Sequence, residues 1–382
     1  MSPAATIFLD EEAVRPTHVE VDLDRLTRNF AAIRHHVGAA KIMAILKANA
    51  YGHGLLPVAR HFVLCGADYL GVAFLEEGIL LRKAGITTPI LVLGGIAGEQ
   101  LPLFLKYDLT ITAPSVEKLR LIDEAAASLG KRARVHLKID TGMERIGVHY
   151  YNANPLFEAT LGCRHVDVDG VFSHFANADT ADLSDARRQL ERFDKVLSFY
   201  RERSLPMPMR HIANSAGILQ LPESHLDLVR PGIMLFGVYP SRECRQTVPI
   251  EPALTWKSRV AYFKVVQPGH PVSYGSAWQS DHAVRMVTIP VGYGDGYFRA
   301  LSNRSRVIIR GKKHPVVGRI CMDSMMVNIE WDSAWNGDEV VLLGGVGDTC
   351  ITAHDLAEWA DTIPYEVLTN INTRVPRLYR GA

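Results

Sequence analysis

A lysine stands directly after a short apolar run in Ile42-Met43-Ala44-Ile45-Leu46-Lys47-Ala48-Asn49-Ala50-Tyr51-Gly52-His53-Gly54. A cationic amine at the mouth of a buried strand is costly unless it is paired or used chemically. An amine so placed can condense with an aldehyde cofactor to a Schiff base. Alone, Lys47 is more readily a surface lysine that follows a strand. Other polar residues fall in comparable places. Tyr51 follows the same run, and Arg145 follows Lys138-Ile139-Asp140-Thr141-Gly142-Met143-Glu144. His174 and Asn177 follow Val168–Ser173. His211, Asn214 and Ser215 close the run from Met209 to Ile212, and Arg230 and Gly232 follow Leu226–Val229.

The elements that must position these residues alternate along the first part of the chain. Lys41–Leu46, Tyr69–Phe74, Pro89–Leu93, Leu109–Thr112, Arg134–Ile139, Val168–Ser173, Met209–Ile212 and Leu226–Val229 read as eight short strands. Between them lie helix-like stretches, among them Gly54–Cys65, Leu75–Ala84, Ser115–Leu129 and Asp182–Arg203, with Ser115 as a cap and Gly130 as a stop. This alternation points to a (β/α)8 barrel, with a doubly wound open sheet as the competing arrangement. In a barrel, catalytic groups sit at the C-terminal ends of strands, where the polar residues above fall. The loops after strands seven and eight often bind phosphate through amides at a helix start. Ser215-Ala216-Gly217 and Pro231-Gly232-Ile233 occupy those loops. The pattern is an aldehyde-reactive lysine facing a phosphate cradle, which suits pyridoxal phosphate.

After about Tyr239 the texture changes. Helical periodicity gives way to Ser258–Val266, Val284–Pro290, Ser305–Ile309, Ser324–Ile329 and Glu339–Leu343, rich in β-branched residues and separated by turn signals. Gly292-Tyr293-Gly294-Asp295-Gly296 and Gly344-Gly345-Val346-Gly347 sit in no strand-to-helix unit with a ribose-binding acid downstream, and read as β-turns. The expected division is a barrel over 17–240 and a mostly β domain over 241–382 together with 1–16. At 382 residues, 47% hydrophobic and 22% charged, the chain has a soluble, two-domain composition. A formal charge of +1 without a basic run gives no footprint for nucleic acid. No apolar stretch approaches a membrane span, and Met1–Glu12 makes a poor secretion signal. The cysteines Cys65, Cys163, Cys244, Cys321 and Cys350 are widely spaced, form no metal pattern, and fit free thiols in the cytoplasm. No metal site is expected.

Nine motifs, in order over nearly the whole length, resemble the alanine racemase family of fold-type III pyridoxal-phosphate enzymes. They are AILKANAYGHG from Ala44, KIDTGMERIG from Lys138, HFANAD from His174, HIANSAG from His211, VRPGIMLFG from Val229, VSYGSAW from Val272, PVGYGDG from Pro290, VGRICMD from Val317 and RVPR from Arg374. The resemblance implies an isomerase that interconverts L- and D-alanine, supplying D-alanine for peptidoglycan or degrading it. Its roles carry over motif by motif. Lys47 holds pyridoxal phosphate and serves as one acid–base group, and Tyr274 serves as the other. Arg230 meets the pyridine nitrogen with His211 in support, and Tyr51, Ser215, Gly232 and Ile233 bind the phosphate, next to Asn214. His174 lines the cofactor. Arg145 reaches the cofactor's phenolic oxygen and the substrate carboxylate, assisted by the Met322 amide. Lys138, which matches a lysine carbamylated in some members, Tyr293, Arg319 and Asp323 complete the supporting set. The family also implies a cytoplasmic homodimer with composite sites, Tyr274 reaching the lysine from the other subunit.

Two positions depart from the family pattern. Thr373 stands where many members have a tyrosine before RVPR, which widens the expected entrance and brings serine into range as a substrate. Glu144 replaces a small residue and is expected to pair with a rim cation. The alternatives are a serine or broader-specificity racemase and a fold-type III amino-acid decarboxylase. Decarboxylases of this architecture pair an acid with the pyridine nitrogen, where this chain offers Arg230.

Overall fold

The first and last strands of the N-terminal repeat hydrogen-bond to each other, which closes a barrel and excludes an open sheet. The computed structural model describes residues 15–381. The described residues divide into two compact units, 27–250 and the pair 15–26 with 251–381.

In the first unit the parallel strands are β2 (Lys41–Ile45), β3 (Tyr69–Val72), β4 (Ile90–Val92), β5 (Thr110–Ala113), β6 (Ala133–Asp140), β8 (Val166–Phe172), β9 (Met209–His211) and β10 (Leu228–Val229), with a short β7 (Val148–His149) beside β6. β10 pairs with β2 through Leu228↔Lys41 and Val229↔Ile42. β9 and β10 are tied by Asp227 N to Arg210 O (3.2 Å) and Arg230 N to Ala213 O (3.0 Å). The strands are buried nearly throughout, as parallel strands covered by helices must be. Ser115 caps the helix Val116–Ser128 by accepting from Lys118 N at 3.2 Å.

The second unit is a sheet whose strands run in the order β12-β13-β16-β15-β14-β17-β11-β1-β19, with β18 beside β17. These are β1 (His18–Asp22), β11 (Leu254–Arg259), β12 (Tyr262–Val266), β13 (Val284–Ile289), β14 (Arg306–Ile309), β15 (Lys312–Val317), β16 (Met325–Glu330), β17 (Glu339–Val346), β18 (Thr349–Ile351) and β19 (Arg377–Arg380). The single run expected over Ser258–Val266 is two strands. At Val260 and Ala261 the backbone changes partners, from Asp338 O to Thr288 O, and this breaks the strand. Residues 18–22 join this sheet, pairing with β11 and β19, and lie outside the barrel expected to begin at 17. Residues 1–14, expected with the β domain, lie outside the described residues. Gly344–Val346 lies within β17, so only its continuation toward Thr349 is a turn. Gly292–Gly296 is a single 3₁₀ turn over Tyr293–Asp295. Two helices, Ala353–Ala360 and Pro364–Thr369, interrupt the β pattern. No helix among the described residues is long and apolar enough to cross a membrane.

Candidate active site

Within the barrel unit, the ends of β2, β6, β8, β9 and β10 deliver polar groups to the same rim. Lys47 follows β2, and the residues after it turn left-handed: Ala48, Asn49, Ala50 and Tyr51 all have φ between 51° and 57°. Four consecutive non-glycine residues in that region are strained. Side chains hold them there. Glu77 accepts from Ala48 N (2.7 Å) and, through its other oxygen, from Ala73 N (2.8 Å), while Asn49 accepts from Leu55 N (2.8 Å). Burial lowers the pKa of Lys47. The charges of Arg145 and Arg230 lower it further, against the opposing pull of Glu77.

Arg230 follows β10 directly and is 3% exposed. It donates to the carbonyls of Ser173 (2.8 Å) and Ile212 (3.0 Å), to Nδ1 of His211 (2.9 Å) and to Nδ1 of His174 (3.1 Å). None of these acceptors carries a charge. Burial brings the guanidinium down to about 9, so it remains a cation at neutral pH. Burial and the Arg230 charge hold His136 neutral, at about 3, and hold His174 and His211 well below their ordinary range. Lys138 is 4% exposed, its Nζ 4.6 Å from the centre of the Phe172 ring. Burial first, then Arg230 and Arg145, drive it far below an ordinary lysine, against the opposing pull of Asp140, which favours the neutral amine.

The turns after β9 and β10 form a small cradle. Ser215 Oγ accepts from Gly232 N at 2.9 Å, and Asn214 caps the turn by accepting from Gly217 N at 3.0 Å. A Cβ on Gly232 would overlap the Tyr51 hydroxyl. The tyrosine is buried, and burial raises its pKa, so it stays a neutral donor. Gly232 leads into the 3₁₀ turn that begins at Ile233. Hydroxyls and turn amides around a glycine that tolerates no side chain suit a phosphate group.

Arg145 is exposed and follows Asp140. Burial raises that carboxyl, but the amides of Gly142, Glu144, Arg145 and Met143 outweigh it and hold it below its usual value. Glu144 pairs with His149 at 2.8 Å, as its position at the rim suggested. Asn177 bonds Asp185 at 3.0 Å, away from the Arg230 network. Sequence reading missed Glu77 and His136. The alternation His136-x-Lys138-x-Asp140 on one strand was a signal for His136, since alternate residues share a face.

In the β unit the expected residues fall on interlocked loops. Tyr274 is 71% exposed. Its neighbour Ser273, at φ 70°, donates from Oγ to Arg319 O at 2.6 Å. Tyr293 N donates to Cys321 O (3.0 Å) and Gly294 N to Met322 O (2.9 Å), and the side chains of Tyr293 and Met322 are exposed. Arg374 bridges Asp323 (2.8 Å) and the fully buried Asp295 (2.8 Å), which also meets Arg15 at 2.6 Å. Burial raises the Asp295 carboxyl, but Arg15, Gly292 N and Arg374 together bring it below its ordinary value. A depressed folded pKa contributes stability that is complete above the unfolded value, about 3.9, and is lost as pH falls through the folded one. Asp295→Asn is therefore expected to lower unfolding stability by roughly 1–3 kcal/mol at pH 7. The gap to the parent should shrink below about pH 4 in urea titrations.

Comparison with known proteins agrees with both units. The sequence pattern of the alanine racemase N-terminal domain matches residues 21–240, and that of the C-terminal domain matches 253–379. The alanine racemase of Carboxydothermus hydrogenoformans is 46% identical over 368 residues, covering 96% of this chain and 100% of that protein. The alanine racemase from the D-cycloserine-producing Streptomyces lavendulae superposes with a TM-score of 0.93 at 37% identity, over 97% of this chain and 98% of that one. The histidine racemase of Leuconostoc mesenteroides subsp. sake superposes at 0.88 with 29% identity, over 97% and 99%.

Proposed function

The chain belongs to the alanine racemase family, and from that premise we propose that it interconverts L- and D-alanine with pyridoxal phosphate, using Lys47 and the partner subunit's Tyr274 as proton carriers on opposite faces of the substrate. It is an isomerase acting on an amino acid. The observation that carries the cofactor assignment is the pairing of Arg230, ringed by uncharged acceptors, with a lysine whose pKa is lowered at the same rim.

Pyridoxal phosphate, when bound, withdraws electrons from the amino acid's Cα and so acidifies its proton. Lys47 would hold the cofactor's aldehyde carbon and take or return a proton at Nζ, and its lowered pKa favours the neutral, accepting amine. Proton return to the other face requires a second group, because one base cannot cross a planar centre. The Tyr274 hydroxyl fills that role from an exposed loop fixed by the Ser273–Arg319 bond. Arg145, with the Met322 amide, would bind the substrate carboxylate. His174 would line the cofactor, and Tyr293, Arg319 and Asp323 support the loops. Arg230, a lasting cation, opposes a proton on the pyridine nitrogen; this limits electron withdrawal and disfavours transamination relative to racemisation. The lowered pKa of Lys138 favours the neutral amine, the form that adds carbon dioxide, and as a carbamate it would attract Arg145 instead of repelling it. Free cysteines support a reducing, cytoplasmic setting, where the product serves cell-wall synthesis or the reverse reaction breaks it down.

Tyr51, Ser215, Gly232 and Ile233 would hold the phosphate. Gly232→Ala forces Cβ into the Tyr51 hydroxyl. Its expected result is at least about a tenfold weaker hold on pyridoxal phosphate, measured by equilibrium dialysis. The substrate assignment is tested by chiral chromatography after incubation with L-alanine, L-serine, L-lysine and L-histidine. Fastest inversion of alanine is expected. Faster inversion of another amino acid would move the substrate, and carbon dioxide released from ornithine or diaminopimelate would replace racemisation by decarboxylation. Thr373, exposed beside Arg374, is shorter than the tyrosine common at that place in the family, and the wider entrance this implies would admit serine as the second substrate.

A further inference from the structure

The polar chain around Arg230 extends beyond its own contacts. It donates from Nη1 to Nδ1 of His211 at 2.9 Å, and Nε2 of His211 lies 2.8 Å from Nδ1 of His136. A guanidinium has donors and no acceptor, so Nδ1 of His211 carries a lone pair and its proton sits on Nε2. That proton points at Nδ1 of His136, which leaves the His136 proton on Nε2, fully buried and without a hydrogen-bond partner among the described residues. A buried donor without an acceptor lowers stability, so stability does not explain this histidine.

We propose that His136 is a positioning residue: by accepting the Nε2 proton of His211, it fixes the tautomer that turns a bare Nδ1 toward Arg230. This keeps the neighbourhood of Arg230 uncharged. The proposal rests on the reading above that Arg230 meets the cofactor's ring nitrogen. The backbone is built around this contact. The pairing of β6 with β8 slips between Val135 and His136, skipping Asp169, so that Gly170 stands opposite His136. A Cβ at Gly170 would come within 2.7 Å of His136 Nδ1, so the slip brings the one residue without a side chain to the place the ring needs. Phe172, two residues on, stacks flat on His211 at 4.8 Å and holds its plane. No carboxylate takes part, which distinguishes this chain from the acid–histidine pairs that raise an imidazole's basicity.

The test uses the holoenzyme with 15N-labelled histidine and two substitutions. In His136→Asn the amide oxygen stands where Nδ1 stood and still accepts; in His136→Leu nothing accepts. The parent and the Asn variant are expected to show His211 protonated at Nε2, and the Leu variant a mixture of tautomers. The kcat of the Leu variant should fall about tenfold with KM changed less than about twofold, and the Asn variant should recover most of that loss. A parent His211 protonated at Nδ1 would overturn the proposal. So would a Leu variant with unchanged tautomer and kcat, or an Asn variant as impaired as Leu when both unfold near the parent's temperature. Should His136→Leu not fold, the parent spectrum and the Asn variant still decide. The His211 tautomer reads out whatever the protein's activity, so failure to take up pyridoxal phosphate or to invert alanine would refute the proposed function separately.

Discussion

Tyr274→Phe is expected to slow the interconversion of alanine by about 10²–10⁴-fold, the range for loss of a general acid–base group. The loss should be lopsided. Lys47 still reaches the proton on its own face, so solvent exchange of the α-proton should persist from one enantiomer and nearly vanish from the other. Measured by mass spectrometry in deuterium oxide, the two washout rates should differ by at least about tenfold. Equal impairment from both enantiomers would contradict proton carriers on two faces. Because Tyr274 is exposed on its loop, removing one oxygen leaves the fold of the β unit intact, and unfolding temperatures of variant and parent should agree closely.

Lys47→Ala removes both the amine that holds the cofactor and one of the two proton carriers. Racemisation is expected to fall by at least about 10³-fold. The visible band of the bound cofactor should disappear on dialysis, and borohydride should no longer fix the cofactor to the protein. A dialysed variant that stays yellow, and still forms a borohydride adduct on another residue, would end the assignment of Lys47. The strained turn after Lys47 belongs to the same prediction. Ala48 to Tyr51 keep their left-handed geometry through Glu77 and Asn49, contacts that Lys47→Ala leaves in place.

The barrel was readable because its strands are short apolar runs, each bounded by polar residues. The expected Lys41–Leu46 became Lys41–Ile45, and Asp182–Arg203 became a helix over Ser184–Glu202. Closure was harder to read, since the Leu228↔Lys41 pairing joins residues nearly the whole barrel apart. β1 escaped notice for a similar reason. His18-Val19-Glu20-Val21-Asp22 alternates as a half-buried strand should, but its partners are β11 and β19, more than two hundred residues later. The helix at Ala353–Ala360 did carry a local signal, the reciprocal box of Thr352 and Asp355, inside a region read as β from its composition. For the proposed site, the placement of Lys47, Arg145, Arg230 and Ser215 after barrel strands was readable because polar residues follow the apolar runs there. Glu77 was not, because its work is to accept amides from a turn thirty residues earlier. His136 was not, because its contact depends on the slipped register opposite Gly170.

Mixing the two dead variants gives the most direct measurement. Lys47→Ala and Tyr274→Phe chains, labelled with different dyes, are exchanged until mixed dimers form, and alanine racemisation is then followed. If each site takes its lysine from one chain and its phenol from the other, a mixed dimer holds one intact site, and activity should return to about a quarter of the parent's at random exchange. If energy transfer between the dyes proves that mixed dimers have formed and no activity returns, Lys47 and Tyr274 do not serve one substrate from two subunits.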